Sequence, residues 1–93
     1  MKFRMSRTFR RCFDELPDET RKAAKEKFRF FQRNPYYPYH PSLRIKPMKG
    51  FPGIWEGHIT EGYVFTFHRL EDENGETIFE FRKIGKHDIY ENP

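Results

Sequence analysis

One cysteine, no long apolar run and a modest aliphatic content define this 93-residue chain first by what it lacks. A lone Cys12 leaves no partner for an internal disulfide and no cysteine cluster for a metal; a semi-buried free thiol is the expected state. With a mean hydropathy of -1.00 and no run near the ~20 apolar residues that span a bilayer, no membrane segment is expected. The opening MKFRMSRTFRR lacks the apolar core of a secretory signal, so a cytoplasmic location is expected. The four histidines show no HExxH and no familiar ligand spacing, so neither metal nor cofactor is expected. Gly50-Phe51-Pro52-Gly53 is followed by no GK[ST] and is not a phosphate loop.

What is present is aromatic and basic. Phenylalanine supplies 11 of the aromatic residues, and these make up 18% of the chain, giving large buried area per residue to a core that chain length keeps small. A single domain over residues 1–93 is expected. The net charge is +4, but it is unevenly placed: residues 1–34 hold eleven Lys or Arg against five Asp or Glu, and the remainder is slightly acidic. Either a solvated helix face or a polyanion-binding surface would account for that surplus.

Along the chain, Phe3 and Met5 alternate with polar neighbours, as in a short strand over Lys2 to Ser6. Ser6 suits the N-cap of a helix to about Leu16, whose stripe is Phe9, Cys12, Phe13 and Leu16. After Pro17, a second helix runs from about Asp18 to Arg33, with Ala24, Phe28 and Phe31 on its apolar face and Asn34-Pro35 ending it. The segment from Pro35 to Pro41 carries three prolines and three tyrosines and reads as a stiff surface crossing. Pro47 limits any strand between Leu43 and Met48 to a sheet edge.

Residues 54–88 read as three strands and two turns. Trp55 and Ile59 share one face, Glu56 and His58 the other; after a Glu61-Gly62 hairpin, Tyr63, Phe65 and Phe67 oppose Val64, Thr66 and His68. Beyond an Asn74-Gly75 turn, Phe79 and Phe81 face the core, leaving Ile78, Glu80 and Arg82 on an open face. The aromatic face needs a cover, which the two helices supply. The expected fold is therefore α+β in two layers, a helical hairpin on one face of a small, mainly antiparallel sheet.

The order of pieces then resembles a family. Strand, helical hairpin, His40-Pro41-Ser42-Leu43, Lys46 to Gly50, Gly53 to Glu56, Gly62-Tyr63 and a closing Arg82 to Asp88 are similar to the RelE/ParE superfamily of bacterial and archaeal type II toxins. The resemblance covers nearly the whole chain and rests on order and spacing, since no single piece is specific. It implies a toxin neutralised by a cognate antitoxin. In the RelE branch it implies an endoribonuclease, an mRNA interferase that cleaves mRNA on the ribosome, inhibits translation and needs no metal. His87 then falls where a catalytic His or Arg is expected, as general acid or base, with Arg82 as phosphate clamp and Glu56 or His58 as second proton-transfer group. Lys46, Lys49 and Lys86 would add cationic help in RNA binding, and Tyr90 lies where an aromatic residue often stacks on a base.

One position departs from the pattern. Where RelE-type sequences commonly show Tyr-Arg, this chain has Tyr63-Val64. ParE-type relatives lack a convincing ribonuclease set and poison DNA gyrase, so a gyrase inhibitor, or a non-toxic RNA- or protein-binding relative, stands as the alternative. The plain structural readings stand beside these roles: His40 as a loop hydrogen-bonder, His68 as an exposed strand-end residue, Glu56 and His58 as a polar pair on a wet face, and His87-Asp88 as the start of a cap.

Overall fold

A computed structural model describes residues 2–93. Five strands and two helices follow in the order β1 (Lys2–Met5), α1 (Arg7–Asp14), α2 (Asp18–Arg33), β2 (Lys46–Pro47), β3 (Ile54–His58), β4 (Val64–Glu71) and β5 (Thr77–Gly85). Two 3-10 helices, Pro41–Leu43 and His87–Glu91, complete the chain. The sheet order is β1-β5-β4-β3-β2, antiparallel except for the parallel pair β1 and β5. The expected two-layer α+β fold is the one observed. No helix among the described residues is long and apolar enough to cross a membrane.

Helix starts and stops follow local chemistry. Ser6 Oγ accepts from the Phe9 amide at 3.0 Å and caps α1. The helix ends at Asp14, short of the expected Leu16, because Leu16 precedes Pro17 and is pushed out of helical geometry; it still reaches the core, buried beside the turn. Asp18 and Glu19 sit in the first turn of α2, favourable at the positive end of its dipole. β2 is the two-residue edge strand that Pro47 permits.

The core is a continuous aromatic cluster. Phe9, Phe31, Phe65, Phe67 and Phe79 are fully buried. Phe81 stacks with Phe28 at 4.9 Å and with Phe9 at 5.3 Å between centroids, so both helices close on β5 through rings. Phe31 reaches the next strand, 5.0 Å from Phe67.

Two expectations about the second face are corrected. Thr66 pairs with Lys83 and Phe67 with Phe81, so Arg82 is an extra residue in a β-bulge. Strict alternation fails there: Phe81 and Ile84 both enter the core, and Arg82 and Lys83 both point the other way. Ser6 fixes the bulge, its Oγ donating to the Arg82 carbonyl at 2.9 Å and its amide to the Phe81 carbonyl at 3.0 Å. Nor is that face open. The second 3-10 helix and the residues after it fold back across it, with Lys83 Nζ donating to the Asn92 carbonyl at 2.5 Å and Arg82 Nε to the Pro93 carbonyl at 3.1 Å. Val64 and Thr66, on the same face of β4, are completely buried.

His68 is also corrected. It lies inside β4, which continues to Glu71, and its side chain is only 16% exposed. Polar residues at both Arg69 and Glu71 hide the end of that strand in the sequence.

Candidate functional site

Strand register builds the site. Lys46, Glu56, Thr66 and Lys83 are neighbours across β2, β3, β4 and β5, and one row further His58 lies opposite Val64, which pairs with Gly85. Side chains paired this way emerge on the same face, here the one away from the helices. Gly85 ends β5, and the chain turns through Lys86 into the second 3-10 helix, bringing His87 and Tyr90 over the end of β3.

Five of the eight residues singled out from the sequence meet here. The His58 and His87 rings are 6.3 Å apart between centroids, and His87 meets the Tyr90 ring edge to face at 5.5 Å. Lys46 Nζ lies 3.5 Å from Glu56 Oε1. Glu56 is 7% exposed, whereas His87 is exposed, so the group runs from a buried carboxylate outward to a solvent-facing imidazole. Among the described residues, the buried Tyr90 hydroxyl and Thr66 Oγ1 have no aligned hydrogen-bond partner. Burial first, and then the Glu56 carboxylate, pushes the Tyr90 phenol well above its usual range.

His58 is held below the usual imidazole range. Burial is the largest cause, followed by the positive charge of Arg44; the Glu56 carboxylate pulls the other way, and His87 and Lys46 add to the lowering. A neutral imidazole at pH 7 is a proton acceptor.

Arg82, Lys49 and Lys86 do not join this group. Arg82 Nη1 lies 2.7 Å from His68 Nδ1 and its Nε is taken by the Pro93 carbonyl, while His68 Nε2 is 3.1 Å from Glu80 Oε1 and Arg4 Nε is 2.6 Å from Glu80 Oε2. This is a second polar network, on β1, β4 and β5. Lys49 is exposed in the turn between β2 and β3, and Lys86 is exposed just before the second 3-10 helix. His40 behaves as a loop hydrogen-bonder, its Nδ1 2.8 Å from Ser42 Oγ and its ring stacked on Phe30 at 4.1 Å.

Sequence reading missed Arg44 and Lys83. Arg44 lines an open cleft with Lys27, Ser42 and His58. Its position directly after His40-Pro41-Ser42-Leu43 was the only available signal. The bulge concealed Lys83.

No family model matches the chain, and no curated protein matches it by sequence. Solved structures do match over nearly its whole length. The YoeB/ParE toxin from Agrobacterium tumefaciens superposes with a TM-score of 0.72 at 16% identity, covering 94% of this chain and 99% of that one. YafQ from E. coli gives 0.72 at 13% identity, covering 94% and 93%. A RelB-RelE antitoxin-toxin complex from Methanococcus jannaschii gives 0.67 at 21% identity, covering 97% and 99%. The chain has the RelE/ParE-like toxin fold. At these identities the likeness is one of architecture. In this RelE/ParE-like chain, therefore, the roles of Glu56, His58, His87 and Tyr90 rest on the geometry given above.

Proposed function

We propose that this chain is the toxin of a type II toxin-antitoxin pair and that it acts as a metal-independent endoribonuclease on mRNA, on the ribosome, to inhibit translation. The observation that carries this reading is the pair of imidazoles, His58 and His87, 6.3 Å apart on the covered face. With hydrogen-bond reach of about 3 Å on either side, two such rings can serve one phosphodiester.

The step needs two proton transfers. His58, held neutral, takes the proton of the ribose 2'-hydroxyl as its oxygen attacks the adjacent phosphorus. The bond from phosphorus to the 5'-oxygen breaks, and His87, exposed at the site's outer edge, gives that oxygen a proton. The products are a 2',3'-cyclic phosphate and a 5'-hydroxyl. Glu56 is buried and paired with Lys46, so it serves by seating Lys46. Lys46, Lys49 and Lys86 supply positive charge along the RNA path. The solved RelB-RelE and DinJ-YafQ complexes are toxin-antitoxin assemblies of this fold, which supports a cognate antitoxin as partner.

The test is induced expression in a host lacking any antitoxin. Wild type should arrest growth with a rapid fall in amino-acid incorporation, and His87→Ala should relieve it. Undiminished toxicity of His87→Ala would sink the ribonuclease reading, and accumulated gyrase-cleaved DNA with translation intact would favour a gyrase inhibitor.

A further inference from the structure

With a completely buried valine at position 64, that position can supply no cation to a phosphate. Several cations on this face are already engaged: Lys46 with Glu56, Arg82 with His68 and Pro93, and Lys83 with Asn92. Arg44 is different. It is exposed, and among the described residues its guanidinium makes no ion pair and no side-chain hydrogen bond. Its backbone sits at φ 48° and ψ 45°, a left-handed conformation that a glycine or asparagine would hold with less strain. It shares one open cleft with His58, Ser42 and Lys27.

We propose that Arg44 is a catalytic residue of this site, its guanidinium taking the two non-bridging oxygens of the phosphate that His58 flanks. The inference rests on the ribonuclease reading. As the 2'-oxygen bonds to phosphorus and the 5'-oxygen departs, negative charge grows on the non-bridging oxygens. A planar guanidinium meets both with parallel N–H donors, exchanging no proton itself. Proton traffic stays with His58 and His87. Among the charges near the His58 ring, that of Arg44 acts on it most strongly, as their shared cleft requires. A plain helix-cap role for Arg44 predicts something else: replacing it by glycine would relieve backbone strain and leave both phosphate binding and cleavage intact.

Two variants separate these readings, Arg44→Gly and Arg44→Lys. Inorganic phosphate, titrated against the full-length protein while the His58 ring resonances are followed by NMR, should move those resonances in wild type. In Arg44→Gly its affinity should fall tenfold or more. Single-turnover cleavage of a defined mRNA on programmed ribosomes should fall ~10²-fold in Arg44→Gly, with an unfolding midpoint unchanged or raised, and Arg44→Lys should restore part of it. Phosphate binding and cleavage at wild-type levels in Arg44→Gly would overturn the proposal and leave the ribonuclease reading standing. Arg44-dependent phosphate binding in a wild type that cleaves no mRNA would uphold the phosphate site and remove the ribonuclease reading.

Discussion

Arg82 Nη1 donates to His68 Nδ1 across 2.7 Å, while the opposite nitrogen of the same ring faces Glu80 Oε1 at 3.1 Å. Both contacts are satisfied at once only by a neutral ring carrying its proton on Nε2, which donates to Glu80 and leaves Nδ1 to accept from Arg82. Arg82 in turn holds the Pro93 carbonyl. One histidine therefore links β4 to the residues that cover the second face.

The consequence is a pH dependence of stability. His68 is lowered from the ordinary imidazole value by burial first and by the Arg82 charge second, with Arg4 acting in the same direction and Glu80 against it. A lowered folded pKa means that the unfolded chain binds the proton more readily. The stability tied to His68 is then present above about pH 6.5 and is lost as pH falls below that value toward the folded pKa. His58 is shifted in the same direction and adds to the slope. Urea midpoints should drop between pH 7.5 and 5.5, and His68→Asn, whose amide oxygen can take the place of Nδ1 without titrating, should show a shallower drop. An identical slope in that variant would show that His68 is not a source of it.

Gly57 sits in the middle of β3 because the tip of the Phe65 ring occupies the space a side chain would take. A Cβ built there would meet the Phe65 Cζ atom, and would fall 2.5 Å from Phe65 Cε1 and 2.8 Å from Ile45 Cδ1. Phe65 is fully buried and cannot retreat without disturbing Phe28, 5.2 Å away edge to face, and Phe67. Gly57→Ala should therefore cost about 1–3 kcal/mol in chemical denaturation, the range of overpacking in a closed core. A stability equal to wild type would mean that this corner is loosely packed.

The core faces were legible in the sequence because each obeys one period. Phe9, Phe13, Phe28 and Phe31 recur at helical spacing, and Phe65, Phe67, Phe79 and Phe81 alternate as strands do. The second face escaped for reasons tied to particular residues. Arg82 is an extra residue in its strand, and no periodic reading anticipates a bulge anchored from outside the strand by Ser6. The second 3-10 helix is short, and it is held down by the backbone oxygens of Asn92 and Pro93, groups that every residue carries and that leave no mark in composition. His58 and Glu56 were correctly placed on one face from alternation alone. The proximity of Arg44 to His58 needed the fold, since thirteen residues, including the edge strand β2, a turn and most of β3, lie between them.

That proximity gives the site a signature that can be measured without RNA. Arg44 and Glu56 act on the His58 ring with opposite signs: the guanidinium favours the neutral imidazole, and the carboxylate favours the imidazolium. Removing each charge in turn should move the His58 pKa in opposite directions, upward in Arg44→Gly and downward in Glu56→Gln. An NMR titration of the His58 ring resonances in the free protein reads both shifts directly. The same variants should displace the acid limb of the cleavage rate profile in matching directions, because a general base works only once it has lost its proton. Salt should weaken the Arg44 effect more than the Glu56 effect, since Arg44 is exposed and Glu56 is buried. Shifts of the same sign in the two variants would mean that His58 senses a rearrangement of β3 and the second 3-10 helix, and its assignment as the base would have to be given up.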